Sequence, residues 1–132
     1  MKKVPFVLVF VVLLLCSFQK VDNCALSYNG IYAFKLDDEH SAVLRFYEDG
    51  TVLASTSVND YMDVFSWFHK ENKDMVLTGK YKIKKCEIKF EVKGLTGSQS
   101  YEGTISGNSI DLKLTDAESK KSVKRIYTFY AL

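Results

Sequence analysis

Residues 75–92 read MVLTGKYKIKKCEIKFEV, and apolar and polar side chains alternate along most of this stretch. An alternation of period two is typical of β-strands that bury one face. A two-residue turn at Lys84-Lys85 sets Tyr81 opposite Ile88 on the apolar face. The same register sets Lys82 opposite Glu87 on the polar face, where opposite charges attract. The stretch therefore predicts an antiparallel hairpin with a defined register.

A second hairpin is predicted for residues 101–114, YEGTISGNSIDLKL. A turn at Gly107-Asn108 pairs Tyr101 with Leu114 on the apolar face and Glu102 with Lys113 on the polar one. In these two registers Gly79 faces Phe90 and Gly103 faces Leu112. A glycine opposite a bulky neighbour permits the strong coiling that a closing sheet needs.

A third hairpin is predicted for residues 45–55, RFYEDGTVLAS. A three-residue loop, Glu48-Asp49-Gly50, with Gly50 in the left-handed conformation, sets Phe46 opposite Val52 and Leu44 opposite Ala54. A two-residue turn would leave Leu44 facing a serine, so the longer loop is preferred. Leu53 is the one apolar residue that this register places on the polar face.

With further strands at residues 31–36 and 123–132, the pattern predicts an all-β fold: one antiparallel up-and-down barrel of about eight strands. Closure removes exposed strand edges, and a two-sheet sandwich is the alternative. The one long connection, residues 58–72, lies between strands 3 and 4. There Asn59 or Asp60 can cap a short helix that crosses one mouth of the barrel. Its apolar stripe comprises Tyr61, Val64, Phe65 and Phe68.

The chain has 132 residues, and its start differs in character from the rest. Lys2 and Lys3 precede an apolar run from Val4 to Cys16, and polar residues follow. A basic N-terminus, a short apolar run and a polar segment after it are typical of a secretory signal peptide. The apolar run is shorter than the roughly 20 residues of a membrane-spanning helix. We expect residues 1–25 to be this signal, cleaved between about positions 17 and 25, and residues 26–132 to be the barrel domain.

Export predicts a secreted, periplasmic or cell-envelope protein without a transmembrane segment. A lipid anchor at Cys16 is the alternative, although Leu15 is larger than the residue that lipoprotein signals place before the cysteine. If cleavage spares Cys24, an oxidising compartment permits a Cys24–Cys86 disulfide. A buried free thiol at Cys86 is the other interpretation. Two cysteines without a nearby histidine cluster do not predict a metal site.

Charge excludes some partners. Residues 1–25 contain three of the 18 basic side chains and one of the 16 acidic ones, so the remaining domain has equal numbers of both. Proteins that bind nucleic acids or anionic membranes typically have an excess of basic side chains on one face. Neither partner is therefore expected.

Two short motifs lie at the ends of the predicted barrel. Asn29-Gly30-Ile31-Tyr32 stands where lipocalins have Gly-x-Trp, and Arg125-Ile126-Tyr127 matches the Arg-x-Tyr with which fatty-acid-binding proteins hold a carboxylate. In these features the chain resembles the calycins, the group of small barrels that contains both families. It departs from them in its Tyr32, its short length, its export signal and the position of its helix. The resemblance implies a small ligand-binding barrel, although a shared fold does not establish a shared function.

Arg125 is the main candidate for binding. Three interpretations stay open: an inward guanidinium that binds an anionic head group with help from the Tyr127 hydroxyl, a guanidinium that stacks on Tyr32 and closes one end of the barrel, or an inverted strand with Arg125 in water. Trp67 and Phe68 either plug the barrel mouth or form an exposed aromatic patch that gates a ligand or docks a partner. The proposed inward set contains eight aromatic residues, so any cavity should be small. They are Tyr32, Phe34, Phe46, Tyr81, Phe90, Tyr101, Tyr127 and Phe129.

Catalysis has little support in the sequence. His40 and His69 are the only histidines, no catalytic motif accompanies them, and Asp37-Asp38-Glu39-His40 is typical of a solvated turn. We expect no enzyme activity and no cofactor. The leading hypothesis is a monomer that binds a small hydrophobic or amphipathic, lipid-like ligand at the barrel mouth through Arg125, Tyr127, Tyr32, Trp67 and Phe68. The alternative is a protein-interaction module with a filled barrel.

Overall fold

The computed structural model describes residues 24–58 and 61–132, and over these residues eight antiparallel strands form a closed barrel. Each strand pairs with the next along the chain, and β8 pairs with β1. The all-β up-and-down barrel is therefore confirmed, and the two-sheet sandwich is wrong. The strands are β1 (Gly30–Lys35), β2 (His40–Phe46), β3 (Thr51–Val58), β4 (Leu77–Lys84), β5 (Glu87–Gly94), β6 (Gly97–Ser106), β7 (Ser109–Asp116) and β8 (Ser122–Ala131).

Some predictions fall outside this part of the chain. Residues 1–23 of the predicted signal peptide, Cys16 among them, and the predicted helix caps Asn59 and Asp60 lie outside the described residues. Among the residues that are described, no helix is long and apolar enough to span a membrane.

The β2–β3 and β6–β7 hairpins have the predicted registers. Phe46 lies opposite Val52, and Tyr101 lies opposite Leu114. Gly50 has a φ of 93°, in the left-handed region that the three-residue loop requires. Apolar periodicity and turn chemistry agree at both hairpins, and such agreement specifies a register.

The predicted register of the β4–β5 hairpin is wrong by two residues. The turn lies at Lys85-Cys86, where Lys85 has a φ of 59°, so Tyr81 faces Phe90 rather than Ile88. Lys82 consequently faces Lys89 instead of Glu87. A shift of two residues leaves every side chain on its face, so the apolar pattern cannot distinguish the two registers.

The charges on the outer face of this hairpin favour the observed register. It pairs Lys80 with Glu91 and Lys84 with Glu87, whereas the predicted register forms only the Lys82–Glu87 pair. Cross-strand pairs of opposite charge stabilise a sheet and like-charge pairs destabilise it. The shift also places Cys86 in the turn, at the rim of the barrel.

Aromatic side chains fill the middle of the barrel, as the sequence predicts. The ring of Phe46 lies 5.5 Å from those of Tyr32 and Phe90 and 5.3 Å from that of Tyr81, measured between centroids. Tyr101 stacks on Phe90 at 4.6 Å. The remaining predicted inward aromatics, Phe34, Tyr127 and Phe129, belong to or pack against the same lumen cluster. An eight-stranded barrel has little more room than its own side chains occupy.

The β3–β4 connection differs from the prediction in both form and place. It contains two 3₁₀ segments, Tyr61–Ser66 and Lys70–Met75, and it packs against the outer face of the barrel instead of crossing a mouth. Val64 and Phe68 are fully buried there, in a cluster with Ile31, Ala33, Val43, Leu53 and Val76. The physical reason is that the outer faces of β1, β2 and β3 carry apolar side chains that need cover.

Polar contacts hold this connection in place. The Arg45 guanidinium donates a hydrogen bond to the Phe68 carbonyl at 2.8 Å. Lys70 forms an ion pair with Asp49 in the β2–β3 loop, and its hydrogen bond holds the pKa of that carboxyl below the usual range. The connection therefore belongs to the outer wall.

The two ends of the barrel differ. At one end, which we term the closed mouth, the N-terminal arm (residues 24–29) contacts the lumen: Leu26 is only 6% exposed and belongs to the lumen cluster. The other end, which we term the open mouth, is bordered by the β1–β2, β5–β6 and β7–β8 loops. The arm therefore covers the closed mouth, and the open mouth remains accessible to solvent.

Candidate functional site

A cavity of about 450 Å³ opens at the open mouth. Its inward wall is partly apolar, because Ala42, Ala54 and Leu77 contribute small or aliphatic side chains. Polar groups come from Gln99 and Tyr101 on β6 and from Arg125 on β8, the two strands that flank β7. The volume falls within the range of small-molecule sites, and an apolar wall with a few polar groups is typical of them.

Arg125 faces this cavity from β8. Its neighbour Ile126 is 60% exposed while Tyr127 is fully buried, so the inverted strand is wrong. The ring beneath the guanidinium is that of Phe34, with the guanidinium carbon 5.6 Å from the ring centroid. The predicted stacking partner, Tyr32, instead accepts a hydrogen bond from the backbone N–H of Ser27 near the closed mouth.

The Arg125 guanidinium has one hydrogen bond among the described side chains. Its Nη1 atom donates to the Tyr127 hydroxyl at 3.2 Å. None of the ion pairs formed within residues 24–58 and 61–132 includes Arg125. A guanidinium has five N–H donors and keeps its charge at every accessible pH. The cavity therefore contains a fixed positive charge on a partly buried side chain.

Two tyrosines beside this charge stay neutral. Burial raises the pKa of Tyr101, and the neighbouring Tyr127 raises it further. Burial also raises the pKa of Tyr127, and the hydrogen bond from Arg125 opposes that change. The Tyr101 hydroxyl donates to Oε1 of Gln99 at 2.9 Å. The phenols are therefore polar groups that orient their neighbours and do not neutralise the guanidinium.

The five residues predicted for ligand binding are not all brought together. Arg125 lines the cavity and Tyr127 lies behind it, whereas Tyr32 lies deeper in the lumen. Trp67 and Phe68 pack outside the barrel, with ring centroids 5.7 Å apart. They form no lid over the mouth, because the β3–β4 connection covers the outer wall instead.

Sequence reasoning missed several residues of the cavity lining, and Gln99 and Leu95 are two examples. Gln99 lies two residues before Tyr101 on β6 and shares its inward face, so the period of two could have identified it. Leu95 lies in the tight β5–β6 turn and is 93% exposed. No local pattern predicts that this turn borders a cavity, since that depends on where the barrel ends.

The acidic turn before β2 is organised by its own carboxylate. Asp37 accepts hydrogen bonds from the backbone N–H groups of Glu39 and His40, both at 2.8 Å. The first of these bonds is the main reason that the pKa of Asp37 lies below its usual value. Across the described ranges, no group of three or more His, Cys, Asp or Glu side chains could hold a metal ion.

Cys24 and Cys86 form a disulfide, with Cα atoms 5.0 Å apart. The bond joins the N-terminal arm to the β4–β5 turn at the closed mouth, away from the cavity. It is therefore part of the closed end of the barrel and not of the candidate site.

The architecture is consistent with a calycin-like barrel. No protein-family model, curated protein or solved structure matches this chain.

Proposed function

We propose that the protein binds a small amphipathic molecule with an anionic head group, such as a carboxylate, in the open mouth of the barrel. The observation that carries this proposal is Arg125: a partly buried guanidinium lines a cavity of about 450 Å³ and has no ion-pair partner among the described side chains. A guanidinium matches the two oxygens of a carboxylate with two parallel hydrogen bonds. A partly buried charge also gains more from such a partner than an exposed one does.

The surrounding residues support the same class of ligand. The hydrogen bond to Tyr127 and the ring of Phe34 hold the guanidinium in one orientation, which lowers the entropic cost of binding. Ala42, Ala54 and Leu77 form an apolar wall for the rest of the molecule. The aromatic cluster below occupies the lumen, so the ligand is short or bent and does not extend through the barrel.

The proposed setting is outside the cytoplasm. In this proposal the chain is an exported, monomeric, non-enzymatic barrel of the lipocalin or fatty-acid-binding type, with its signal removed before Cys24. The Cys24–Cys86 disulfide supports this setting, because disulfides persist in oxidising compartments.

The test combines a change in the protein with a change in the ligand. The probe is a fluorescent short-chain fatty-acid analogue with a free carboxylate, and its methyl ester is the neutral control. We expect Arg125→Ala to weaken carboxylate binding by roughly 10- to 100-fold, because a hydrogen bond to a charged group contributes about 1.5–3 kcal/mol. The ester should bind both proteins equally weakly.

Lys124→Ala is the matched control, since Lys124 is an exposed cation adjacent to Arg125 on the outer face of β8. Fluorescence titration gives the affinities, and native mass spectrometry of the purified protein shows any copurified ligand. Equal affinity of Arg125→Ala and the unaltered protein for the carboxylate probe would disprove the proposal. So would failure of the unaltered protein to bind the probe.

A protein-interaction module is the second candidate, and exposed apolar residues at the open mouth favour it. Leu36, Leu95 and Val123 all stand exposed there, and exposed apolar groups around a cavity are typical of docking surfaces. If this function holds, a stoichiometric partner is lost in a Leu95→Ser, Val123→Ser variant but retained in Arg125→Ala. Loss of the bound molecule in Arg125→Ala, but not in the Leu95→Ser, Val123→Ser variant, favours the ligand proposal.

A further inference from the structure

The N-terminal arm crosses the whole closed mouth. It joins β1 at one side of the barrel and is bonded through Cys24 to Cys86, between β4 and β5. In a closed ring of eight strands these positions lie on opposite sides. Six residues at about 3.3 Å each reach about 20 Å, which is enough for this crossing.

Side chains of the arm point into the barrel. Leu26 is buried in the lumen cluster, and the Tyr28 hydroxyl lies 3.4 Å from that of Tyr81. The Ser27 backbone N–H donates to the Tyr32 hydroxyl at 2.9 Å. Residues 24–28 belong to no strand. The arm therefore acts as a plug that is held by a few contacts and by its two ends.

These contacts stabilise the docked arm only weakly in comparison with the entropic cost of ordering it. Docking fixes the backbone of six residues, and Leu26 is the only arm side chain that is buried. A covalent bond at the far end offsets this cost, because it confines the arm to the mouth at high effective concentration. The disulfide is thus positioned to decide whether the plug stays in place.

We propose that the Cys24–Cys86 disulfide is a redox lock on this plug, and that its reduction releases the arm and opens a second entrance to the lumen. In the reaction a dithiol reductant supplies two electrons and two protons. The S–S bond breaks, Cys24 and Cys86 become thiols, and the reductant becomes a disulfide. The barrel strands keep their pairing, because the bond joins the turn to the arm and crosses no strand ladder.

The surroundings of the bond suit this exchange. Both cysteines are partly exposed, which favours the approach of a thiolate. Lys84, Lys85 and Glu87 flank Cys86 and are exposed, and Glu87 lies opposite Lys84, so Lys85 supplies the net positive charge. Positive charge beside a cysteine stabilises its thiolate, and a stabilised thiolate leaves faster in thiol–disulfide exchange. Attack at the Cys24 sulfur with Cys86 as leaving group is therefore favoured.

Amide hydrogen exchange tests the lock. We compare the oxidised protein, the protein reduced with dithiothreitol and alkylated with iodoacetamide, and the Cys24→Ser, Cys86→Ser double variant. We expect exchange at the Ser27 amide to rise roughly tenfold or more in the last two, with β6 and β7 unchanged. Binding of an uncharged apolar dye such as Nile red should rise in parallel. The double variant separates loss of the bond from the bulk of the alkyl groups.

Leu26→Ala in the oxidised protein is the matched control, since it weakens the plug but keeps the lock, and its Ser27 amide should stay closer to the oxidised protein than to the double variant. An unchanged Ser27 amide after reduction would overturn the proposal, because packing alone would then hold the arm. Loss of protection throughout the strands would overturn it as well, because the bond would then support the whole fold. Exchange at the Ser27 amide reports on the arm at the closed mouth, so this readout is independent of ligand binding at the open mouth.

Discussion

At the scale of single residues, two positions require glycine for different reasons. A Cβ atom at Gly103 would lie 1.8 Å from the backbone oxygen of Asp111, on the neighbouring strand. At Gly50 no atom lies within 4 Å of a Cβ position, but the φ of 93° is unfavourable for other residues. The first glycine permits a close approach of two strands, and the second permits a turn.

We therefore predict that Gly103→Ala lowers the free energy of unfolding by about 3 kcal/mol, because the strands must separate. Gly50→Ala should cost about 1 kcal/mol, the penalty of a left-handed conformation. Urea unfolding of both variants measures the difference. Equal losses would contradict the prediction, because the close approach of the strands at Gly103 would then add no penalty beyond that of the turn glycine.

The sequence predicted the role of Gly50 in full, but that of Gly103 only in part. Gly50 follows from turn chemistry within three residues, which is local. The contact at Gly103 depends on the coil of the closed sheet. Arg125 is also predicted only in part. Its inward direction agrees with the strand period, but its stacking on Phe34 in place of Tyr32 depends on strands that are distant in sequence.

At the scale of elements, Leu53 shows how the β3–β4 connection is held. The strand period places this leucine on the outer face, yet it is fully buried beneath the connection. We predict that Leu53→Ala lowers the free energy of unfolding by roughly 2–5 kcal/mol, as for other buried leucines. Leu95→Ala, at a site that is 93% exposed, should change it by less than about 0.5 kcal/mol.

Chemical denaturation with a constant m-value checks this pair of variants. A small effect at Leu53 would contradict the assignment of the connection to the outer wall. The predicted apolar stripe of the connection includes Val64 and Phe68, which are both buried. It could not predict the surface they cover, because the sequence shows which side chains avoid water but not which faces meet.

At the scale of the whole molecule, buried tyrosines make stability depend on alkaline pH. Burial raises the pKa values of Tyr81, Tyr101 and Tyr127 above the ordinary value near 10. Above pH 10 the unfolded chain loses these protons while the folded chain retains them. The unfolded state then binds fewer protons, so the free energy of unfolding falls as pH rises. Below pH 10 this contribution is fully present.

We predict that the urea midpoint declines from about pH 10 upward, and that Tyr101→Phe makes the decline shallower. Tyrosinate absorbance near 295 nm follows the same protons and should rise at higher pH in the folded protein than in urea. Tyr130→Phe is the control, because the Tyr130 side chain is more than a third exposed. Coincident titration curves for the folded and unfolded protein would contradict the prediction.

The sequence by itself determined the strands, the faces of the side chains in the three hairpins, two of the three hairpin registers considered and the closed barrel. These follow from the period of two and from turn chemistry, which are local properties of the backbone. Only the tertiary structure decided the β4–β5 register, the cover over the outer face and the path of the arm across the closed mouth. The disulfide that ends this path joins Cys24 and Cys86, which are 62 residues apart in sequence. Each of these depends on which surfaces meet in space, and a periodic pattern leaves that choice open.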